Sequence, residues 1–286
     1  MFPGQGSQRR GMGGDLFDRV PEFAAAERSI DAVLGYSLRA LCLENQGNRL
    51  NQTQYTQPAL FVVNALHGYE NVRTAGRPDY ALGHSLGEYN ALHAAGAFDL
   101  LTGLKLVVKR GALMAEARNG AMAAVIGLPA HRIAELLSEH RLESLDIANY
   151  NTPRQTVISG PAEDIRNATE TLQRAGAQLC VPLPVSAAFH SRYMAPAARQ
   201  FEQFLAGIPL DRLRIPVISN ATARPYPAEG GDTVKGLLVR QIAESVKWTA
   251  SIGYLRSLGA AHFDEAGPGN VLTRFLLEEQ PAVSAA

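Results

Sequence analysis

The pentapeptide Gly83-His84-Ser85-Leu86-Gly87 stands between a short apolar run and an alanine-rich helical stretch. In that context Gly-x-Ser-x-Gly predicts a nucleophile elbow, a sharp strand-to-helix turn in strained backbone whose flanking residues must be small. Ser85 would present its hydroxyl at a helix N-terminus, where the Leu86 backbone N–H and the helix dipole favour a developing negative charge. Taken alone, the pentapeptide is equally compatible with a glycine-flanked turn whose serine only caps the helix.

Composition narrows the class of protein. The chain has 286 residues, with 27 Lys and Arg against 27 Asp and Glu, so no global field steers it to nucleic acid or a membrane. Cys42 and Cys180 have apolar neighbours, which indicates buried thiols in a reducing compartment. No apolar run approaches the roughly 18 residues of a spanning helix, and no secretory signal precedes the first motif. A cytoplasmic protein is therefore expected.

The order of predicted elements indicates an α/β protein in which a large domain is interrupted by a small one. Helical spacing is found in residues 15–43 and 102–118, a helix is predicted to begin at Pro58, and a strand at 262–265. A glycine-rich turn lies at residues 3–8, almost at the first residue. Because a strand normally leads into such a turn, the natural start is expected upstream.

Residues 120–186 have a different rhythm. Strands are predicted at 121–126, 145–149, 156–159 and 179–183, with helices at 129–140 and 161–175. The order strand-helix-strand-strand-helix-strand is the split βαβ pattern of a ferredoxin-like unit. We therefore predict a large domain formed by 1–119 and 187–286, with a small α+β subdomain at 120–186.

Seven motifs occur in the order found in one enzyme family and cover nearly the whole chain. They are Phe2-Pro3-Gly4-Gln5-Gly6-Ser7-Gln8, Gln54-Tyr55-Thr56-Gln57-Pro58-Ala59-Leu60, Gly83-His84-Ser85-Leu86-Gly87-Glu88-Tyr89, Arg110-Gly111, Ala121-Met122-Ala123-Ala124, Phe189-His190-Ser191 and Glu265-Ala266-Gly267-Pro268-Gly269. In these the chain resembles the malonyl-CoA:acyl carrier protein transacylases of fatty acid and polyketide synthesis. The resemblance implies an α/β-hydrolase-like core with a ferredoxin-like insert.

The resemblance also implies a Ser-His dyad. Ser85 is the expected nucleophile and His190 the general base and acid, although a lone histidine is more often structural. His190 stands where the chain re-enters the large domain after the insert. No acidic residue is placed by motif to orient its imidazole. In the family a backbone carbonyl does so, and the matching residue is Gln241.

Substrate recognition is expected from residues that would otherwise be assigned to the surface or the core. By resemblance, Arg110 holds the free carboxylate of the malonyl group, since a planar guanidinium binds carboxylates bidentately. Gln57 matches a polar pocket residue, and His84 is included among the substrate-binding residues. Phe189 matches the residue of malonyl-preferring enzymes, where a bulky ring crowds a branched α-carbon, although core packing explains it equally well.

The oxyanion hole implied by the family consists of the backbone N–H groups of Gln5 and Leu86. A turn residue between two glycines is the alternative explanation of Gln5. Asn149 and Asn151 are expected to support the strands of the insert rather than touch substrate. Neither a metal nor a bound cofactor is expected; malonyl-CoA is the expected substrate, and the carrier protein brings the phosphopantetheine.

The implied reaction is ping-pong malonyl transfer to an acyl carrier protein. The segments at 186–191 and 218–225 look like the polyketide type, so an enzyme serving polyketide synthase modules in trans is favoured over a housekeeping transacylase of fatty acid synthesis. A serine thioester hydrolase and a catalytically silent carrier-docking module remain as other classes. Carrier proteins are usually acidic, and four arginines are possible contacts, although a solvated role is favoured for each: Arg9, Arg10, Arg192 and Arg224.

Overall fold

The computed structural model describes residues 1–278, and within them it has twelve α-helices and six β-strands. The helices are α1 (Leu16–Arg19), α2 (Pro21–Leu34), α3 (Leu38–Glu44), α4 (Thr53–Ala75), α5 (Gly87–Ala94), α6 (Leu100–Glu116), α7 (Ala130–Glu139), α8 (Ala162–Arg174), α9 (Ala195–Ala206), α10 (Gly231–Ala243), α11 (Trp248–Ser257) and α12 (Val271–Glu278). The strands are β1 (Ala81–Leu82), β2 (Gly120–Ile126), β3 (Asp146–Thr152), β4 (Gln155–Pro161), β5 (Leu179–Pro182) and β6 (Val217–Ile218).

The first of the two sheets is small and parallel. β1 pairs with β6, so that Ala81 lies opposite Val217. On the other side of β1, Phe2 forms a parallel bridge with Gly83: its N–H donates to the Leu82 carbonyl at 3.0 Å, and its carbonyl accepts from His84 N–H at 2.9 Å. The turn after β1 is therefore held between the N-terminal segment and β6.

Helix α5 contacts β1 and packs against α4 and α6, while α9 packs against α6 and α10. Helix α6 begins at an N-cap, where the Asp99 carboxylate accepts the Thr102 N–H at 2.7 Å. Its buried face includes Val107, Arg110 and Met114, which recur at helical spacing. Because Arg110 lies on this face, α6 carries a guanidinium into the interior.

The second sheet has four antiparallel strands in the order β3-β4-β2-β5. Its core contains Val125 from β2, Ile133 from α7 and Ile165 from α8. At the β3 edge, Val246 N–H donates to the Ala148 carbonyl at 2.8 Å, and Tyr150 N–H donates to the Val246 carbonyl at 2.9 Å. The four-stranded sheet is thereby joined to the segment between α10 and α11.

Most predicted elements lie within three residues of the observed ones, and two predictions were wrong. The helix predicted to begin at Pro58 begins at Thr53, with Pro58 inside its second turn. The proline there removes one hydrogen bond near the helix start, which buried packing outweighs. Residues 262–265 form no strand; they contact Met1 instead, whose carbonyl accepts the Ala266 N–H at 2.7 Å. No helix within residues 1–278 is long and apolar enough to cross a membrane.

Gly87 tests how tightly the turn after β1 is packed. A Cβ atom at Gly87 would lie 2.0 Å from the Phe2 carbonyl oxygen. We expect Gly87→Ala to lower the free energy of unfolding by about 3 kcal/mol, the upper part of the usual overpacking range, because backbone must move. Gly236→Ala is the matched control, since a Cβ there meets nothing within 4 Å and helix α10 gains about 0.5–1 kcal/mol. Chemical denaturation measures both, and equal stabilities would contradict the expectation.

Candidate active site

Ser85 occupies the turn between β1 and α5 with φ +50°, in the left-handed region that non-glycine residues rarely adopt. The flanking glycines permit this turn: a Cβ at Gly83 would lie 1.9 Å from the Gly87 carbonyl group. The side chain of Ser85 is half-buried. The pentapeptide therefore has the strained strand-to-helix geometry of a nucleophile elbow.

Asn220, which follows β6, supports this turn from the neighbouring strand. Its Oδ1 accepts the Ser85 N–H at 2.7 Å, and its Nδ2 donates to the Gly83 carbonyl at 2.7 Å. Sequence reasoning missed this role. The only available signal was that Asn220 lies in a segment already noted as resembling the polyketide type.

His190 contacts the Ser85 hydroxyl. Its Nε2 lies 2.7 Å from Ser85 Oγ, and its Nδ1 lies 2.8 Å from the Gln241 carbonyl oxygen and 3.2 Å from that of Glu244. Because carbonyls only accept, the network assigns the proton to Nδ1. Nε2 is then free to accept the serine proton. The backbone of His190 also has a positive φ, +55°.

The electrostatic environment keeps His190 neutral. Burial lowers the pKa of its imidazole to about 3, and the positive charge of Arg110 contributes in the same direction. The two backbone carbonyls on Nδ1 oppose this shift of the pKa without cancelling it. At neutral pH the imidazole is therefore in the form that can accept a proton.

The Arg110 guanidinium lies beside the serine with only 1% of the residue exposed. Nη2 donates to Ser85 Oγ and to Gln241 Oε1, both at 3.1 Å, and Nη1 donates to Gln57 Oε1 at 2.7 Å. Nε is buried and has no hydrogen-bond partner among residues 1–278. No carboxylate of the described residues forms an ion pair with Arg110, so a full positive charge faces the nucleophile with neutral partners only.

Gln241 is a junction for three of these residues. In addition to its carbonyl on His190, its side-chain Nε2 donates to the Ser85 carbonyl at 2.6 Å, while Oε1 accepts from Arg110. The carbonyl contact had been predicted from resemblance, whereas the side-chain contacts had not. Gln57 lies beside Arg110. Within residues 1–278, the only hydrogen-bond partner of Gln57 Nε2 is the Met114 sulfur, at 3.4 Å.

A buried carboxylate lies behind the serine. Glu88, on the first turn of α5, accepts the Gln241 Nε2 proton at 2.9 Å and the Asn220 N–H at 3.2 Å, and it is also bonded to the Tyr226 hydroxyl. Burial raises the pKa of Glu88 to about 7 against these hydrogen bonds. Sequence reasoning quoted Glu88 within a motif and assigned it no role.

The two expected oxyanion donors lie near the elbow. Leu86 N–H precedes the first hydrogen-bonded turn of α5, and among residues 1–278 neither it nor Gln5 N–H has a backbone acceptor. The strand-to-loop segment before Gln5 packs directly on the turn, since a Cβ at Gly4 would lie 2.5 Å from the His84 carbonyl oxygen. The Gln5 side chain points to Thr53 Oγ1, at 3.2 Å.

Two predicted substrate-binding residues have structural partners. His84 Nε2 lies 2.9 Å from Asn151 Oδ1 on β3, and its ring packs near Trp248. Phe189 is buried in the main hydrophobic core next to His190. Within residues 1–278, His, Cys, Asp and Glu side chains form no group of three that could hold a metal ion.

Comparison with known proteins gives a family. The model of the acyl transferase domain matches residues 1–276. The chain is 50% identical over 275 residues to the polyketide biosynthesis malonyl CoA-acyl carrier protein transacylase BaeC of Bacillus velezensis, covering 96% of this chain and 93% of that one. It is also 50% identical over 287 residues to the polyketide biosynthesis protein ThaF of Burkholderia thailandensis, and it spans 100% of its own length but 24% of that relative.

The fold agrees with these relatives. The crystal structure of malonyl CoA-acyl carrier protein transacylase from Burkholderia pseudomallei superposes with a TM-score of 0.93 at 49% sequence identity, covering 99% of this chain and 98% of that one. The match of the family model extends over both sheets and over Ser85, Arg110 and His190. The chain belongs to the acyl transferase domain family and is similar to the malonyl CoA-acyl carrier protein transacylases within it.

Proposed function

We propose that the chain moves a malonyl group from malonyl-CoA to the phosphopantetheine thiol of an acyl carrier protein through a malonyl ester on Ser85. One observation carries this proposal: the Arg110 guanidinium is buried 3.1 Å from the nucleophilic oxygen without a carboxylate partner. A buried cation with neutral partners is costly unless an anion completes it. The terminal carboxylate of a malonyl thioester is that anion.

In the first step the Ser85 oxygen attacks the thioester carbon of malonyl-CoA. His190 Nε2 takes the hydroxyl proton, while Nδ1–H stays on the Gln241 carbonyl. The Leu86 and Gln5 N–H groups stabilise the oxyanion. When the tetrahedral intermediate collapses, the carbon–sulfur bond breaks and His190 returns the proton to the CoA sulfur.

In the second step the carrier thiol enters the same position. It gives its proton to His190, its sulfur attacks the ester carbon, and Ser85 leaves with the proton returned. In a hydrolase, water would attack the ester carbon in place of the carrier thiol. A transferase is therefore distinguished by releasing free malonate only slowly when no carrier protein is present. Gln57 completes the carboxylate site through its amide, and Phe189 limits the room next to His190.

We favour service to a polyketide synthase, which rests on the likeness to BaeC. The finer fold assignment is an α/β-hydrolase-like core at 1–119 and 187–286 with a ferredoxin-like insert at 120–186. The strand order of the four-stranded sheet supports the insert. Residues 279–286 lie outside the described part. Of the possible carrier contacts, Arg192 pairs with Asp146 and Arg224 lies over Tyr254. All four are exposed; Arg9 and Arg10, which form neither an ion pair nor a cation–π contact within residues 1–278, are the better candidates. A cytoplasmic location stays a prediction, with free buried Cys42 and Cys180 as its support.

Arg110 is tested by loading the serine with different acyl groups. We expect intact-mass measurement after incubation with malonyl-CoA to show one malonyl group on the wild type and none on Ser85→Ala. Arg110→Ala should reduce the rate of malonyl loading on the order of 100-fold, as expected for loss of a buried charge contact, with a far smaller effect on acetyl loading. Arg110→Met, which keeps more of the buried volume, guards against a packing artefact. An equal loss with both substrates would refute the carboxylate clamp.

Gln241 and His190 are expected to differ in what their side chains do. His190→Ala removes the base and should reduce acetyl loading about 10⁴-fold. Gln241→Ala keeps the carbonyl that orients His190 and should cost less in the same assay. Single-turnover acylation of both variants provides the comparison, with thermal unfolding as the folding control. Equal losses would count against orientation by the backbone carbonyl.

The pH dependence of acylation reports the state of His190. A histidine with an ordinary pKa near 6.5 would lose its basic form on acidification around that pH. Since burial and Arg110 lower the pKa of His190 to about 3, we expect kcat/KM for acetyl-CoA to change by less than about twofold between roughly pH 8 and 5.5. Acetyl-CoA is used because it has no free carboxylate. A midpoint near pH 6.5 would overturn the expectation.

A further inference from the structure

Glu88 is a buried carboxylate that the proposed mechanism leaves without a task. It lies three residues after Ser85, and no part of it is exposed. It does not reach the serine hydroxyl, His190 or Arg110 by a direct hydrogen bond within residues 1–278. A charge in such a position is costly, so its partners indicate what it is for.

Within residues 1–278, every hydrogen-bond partner of the Glu88 carboxylate is a donor that lies outside α5. Oε1 accepts hydrogen bonds from the Asn220 N–H and the Tyr226 hydroxyl, and Oε2 accepts a hydrogen bond from Gln241 Nε2. Asn220 N–H is a backbone group and cannot rotate away. Glu88 therefore presents Oε2 to Gln241 and, together with the Ser85 carbonyl, holds the nitrogen of the Gln241 amide on its own side.

That orientation determines what Arg110 contacts. With Nε2 toward Glu88 and the Ser85 carbonyl, the Gln241 amide presents Oε1 to Arg110 Nη2 at 3.1 Å. The opposite orientation would set an NH₂ group against the guanidinium. Arg110 and Glu88 are thus connected through one amide whose dipole suits both charges.

We propose that Glu88 is a positioning residue for malonyl selectivity: acting through the Gln241 amide, it balances the charge of Arg110 and orients the guanidinium without occupying its carboxylate-binding positions. This inference rests on the proposed function, since it assumes that Arg110 binds the malonyl carboxylate. A carboxylate in direct contact with Arg110 would compete with substrate. With the Gln241 amide between them, Glu88 stabilises the cation and accepts no hydrogen bond from the guanidinium itself, and Nε is left without a partner among residues 1–278.

The electrostatics agree with this geometry. Burial raises the pKa of Glu88, whereas the charge of Arg110 acts on it in the opposite direction together with the three hydrogen bonds. On Arg110 the attraction of Glu88 opposes the lowering of its pKa by burial. Each group therefore favours the charged form of the other.

The first test replaces the Glu88 carboxylate by an amide. Glu88→Gln must place an NH₂ group toward Gln241 if its oxygen stays on Asn220. Two NH₂ groups then oppose each other, which weakens the hold on the Gln241 amide that presents its oxygen to Arg110. We expect KM for malonyl-CoA to rise about tenfold, equivalent to 1.4 kcal/mol, with acetyl loading changed by less than about twofold. Glu265→Gln is the matched control, because the Glu265 carboxylate also accepts three hydrogen bonds, at the start of α12, and lies outside the site.

The double variant Glu88→Gln, Gln241→Glu keeps one carboxylate in the network but moves it next to Arg110. It should raise KM for malonyl-CoA at least about tenfold, and by a larger factor than KM for acetyl-CoA, because the new carboxylate competes with the malonyl carboxylate. It also keeps the proposal falsifiable if Glu88→Gln alone fails to fold, as judged by thermal unfolding. A purely structural role predicts equal losses for both acyl groups in every variant.

The outcomes separate the two proposals. If Arg110→Met abolishes the preference for malonyl over acetyl while the folded Glu88 variants keep wild-type KM, the positioning role fails and the clamp stands. If Arg110→Met keeps the preference, the clamp itself fails. A malonyl KM raised by a larger factor than the acetyl KM in both Glu88 variants, with Glu265→Gln like the wild type, supports the positioning role.

Discussion

The left-handed backbone of Ser85 is the constraint on which the rest of the site depends. A non-glycine residue at φ +50° is strained and persists only where its surroundings determine it. Here Phe2 pairs with Gly83, Asn220 bonds to the Ser85 N–H, and the Gln241 amide bonds to the Ser85 carbonyl. These contacts come from three distant parts of the chain. The turn thus collects the N-terminus, the segment after β6 and helix α10 around one serine.

The same contacts explain how a buried guanidinium is tolerated. Arg110 has no ion pair within the described residues, yet its two terminal nitrogens have three oxygen partners. Gln57 is positioned by α4 and Gln241 by α10. Since Gln241 also bonds to the serine carbonyl, a shift of the guanidinium would disturb the turn. Charge binding and nucleophile geometry are therefore coupled through one side chain.

The sequence predicted which elements exist better than it predicted what they contact. Pattern reasoning located the strands and helices of residues 120–186 because each is long enough to show its own periodicity. β1 and β6 have two residues each, too few for periodicity, although short strands are predicted at 80–82 and 217–219. At 262–265 the sequence also predicts a strand, and none forms. The proximity of Ser85, Arg110 and His190 came from motif resemblance, since their separation in sequence contains no geometry.

Other contacts have no signal in the local sequence pattern. A backbone carbonyl such as that of Gln241 is present at every residue, so only resemblance could assign it to His190. Asn220 and Glu88 are polar residues whose importance follows from burial, and burial depends on which distant segments pack over them. His84 was included among the substrate-binding residues, and its side chain contacts Asn151.

An imidazole oriented by carbonyls suits the chemistry proposed for this site better than one oriented by a carboxylate. A carboxylate on Nδ1 stabilises the imidazolium, which matters when the leaving group is a poor one such as an amine. A thiol leaves with an ordinary pKa near 8.5, so a thioester makes a smaller demand on the base. A carboxylate on His190 would also add a negative charge close to Arg110, where it would oppose binding of a second anion. Neutral carbonyls orient the ring and leave the positive charge of Arg110 available to the substrate.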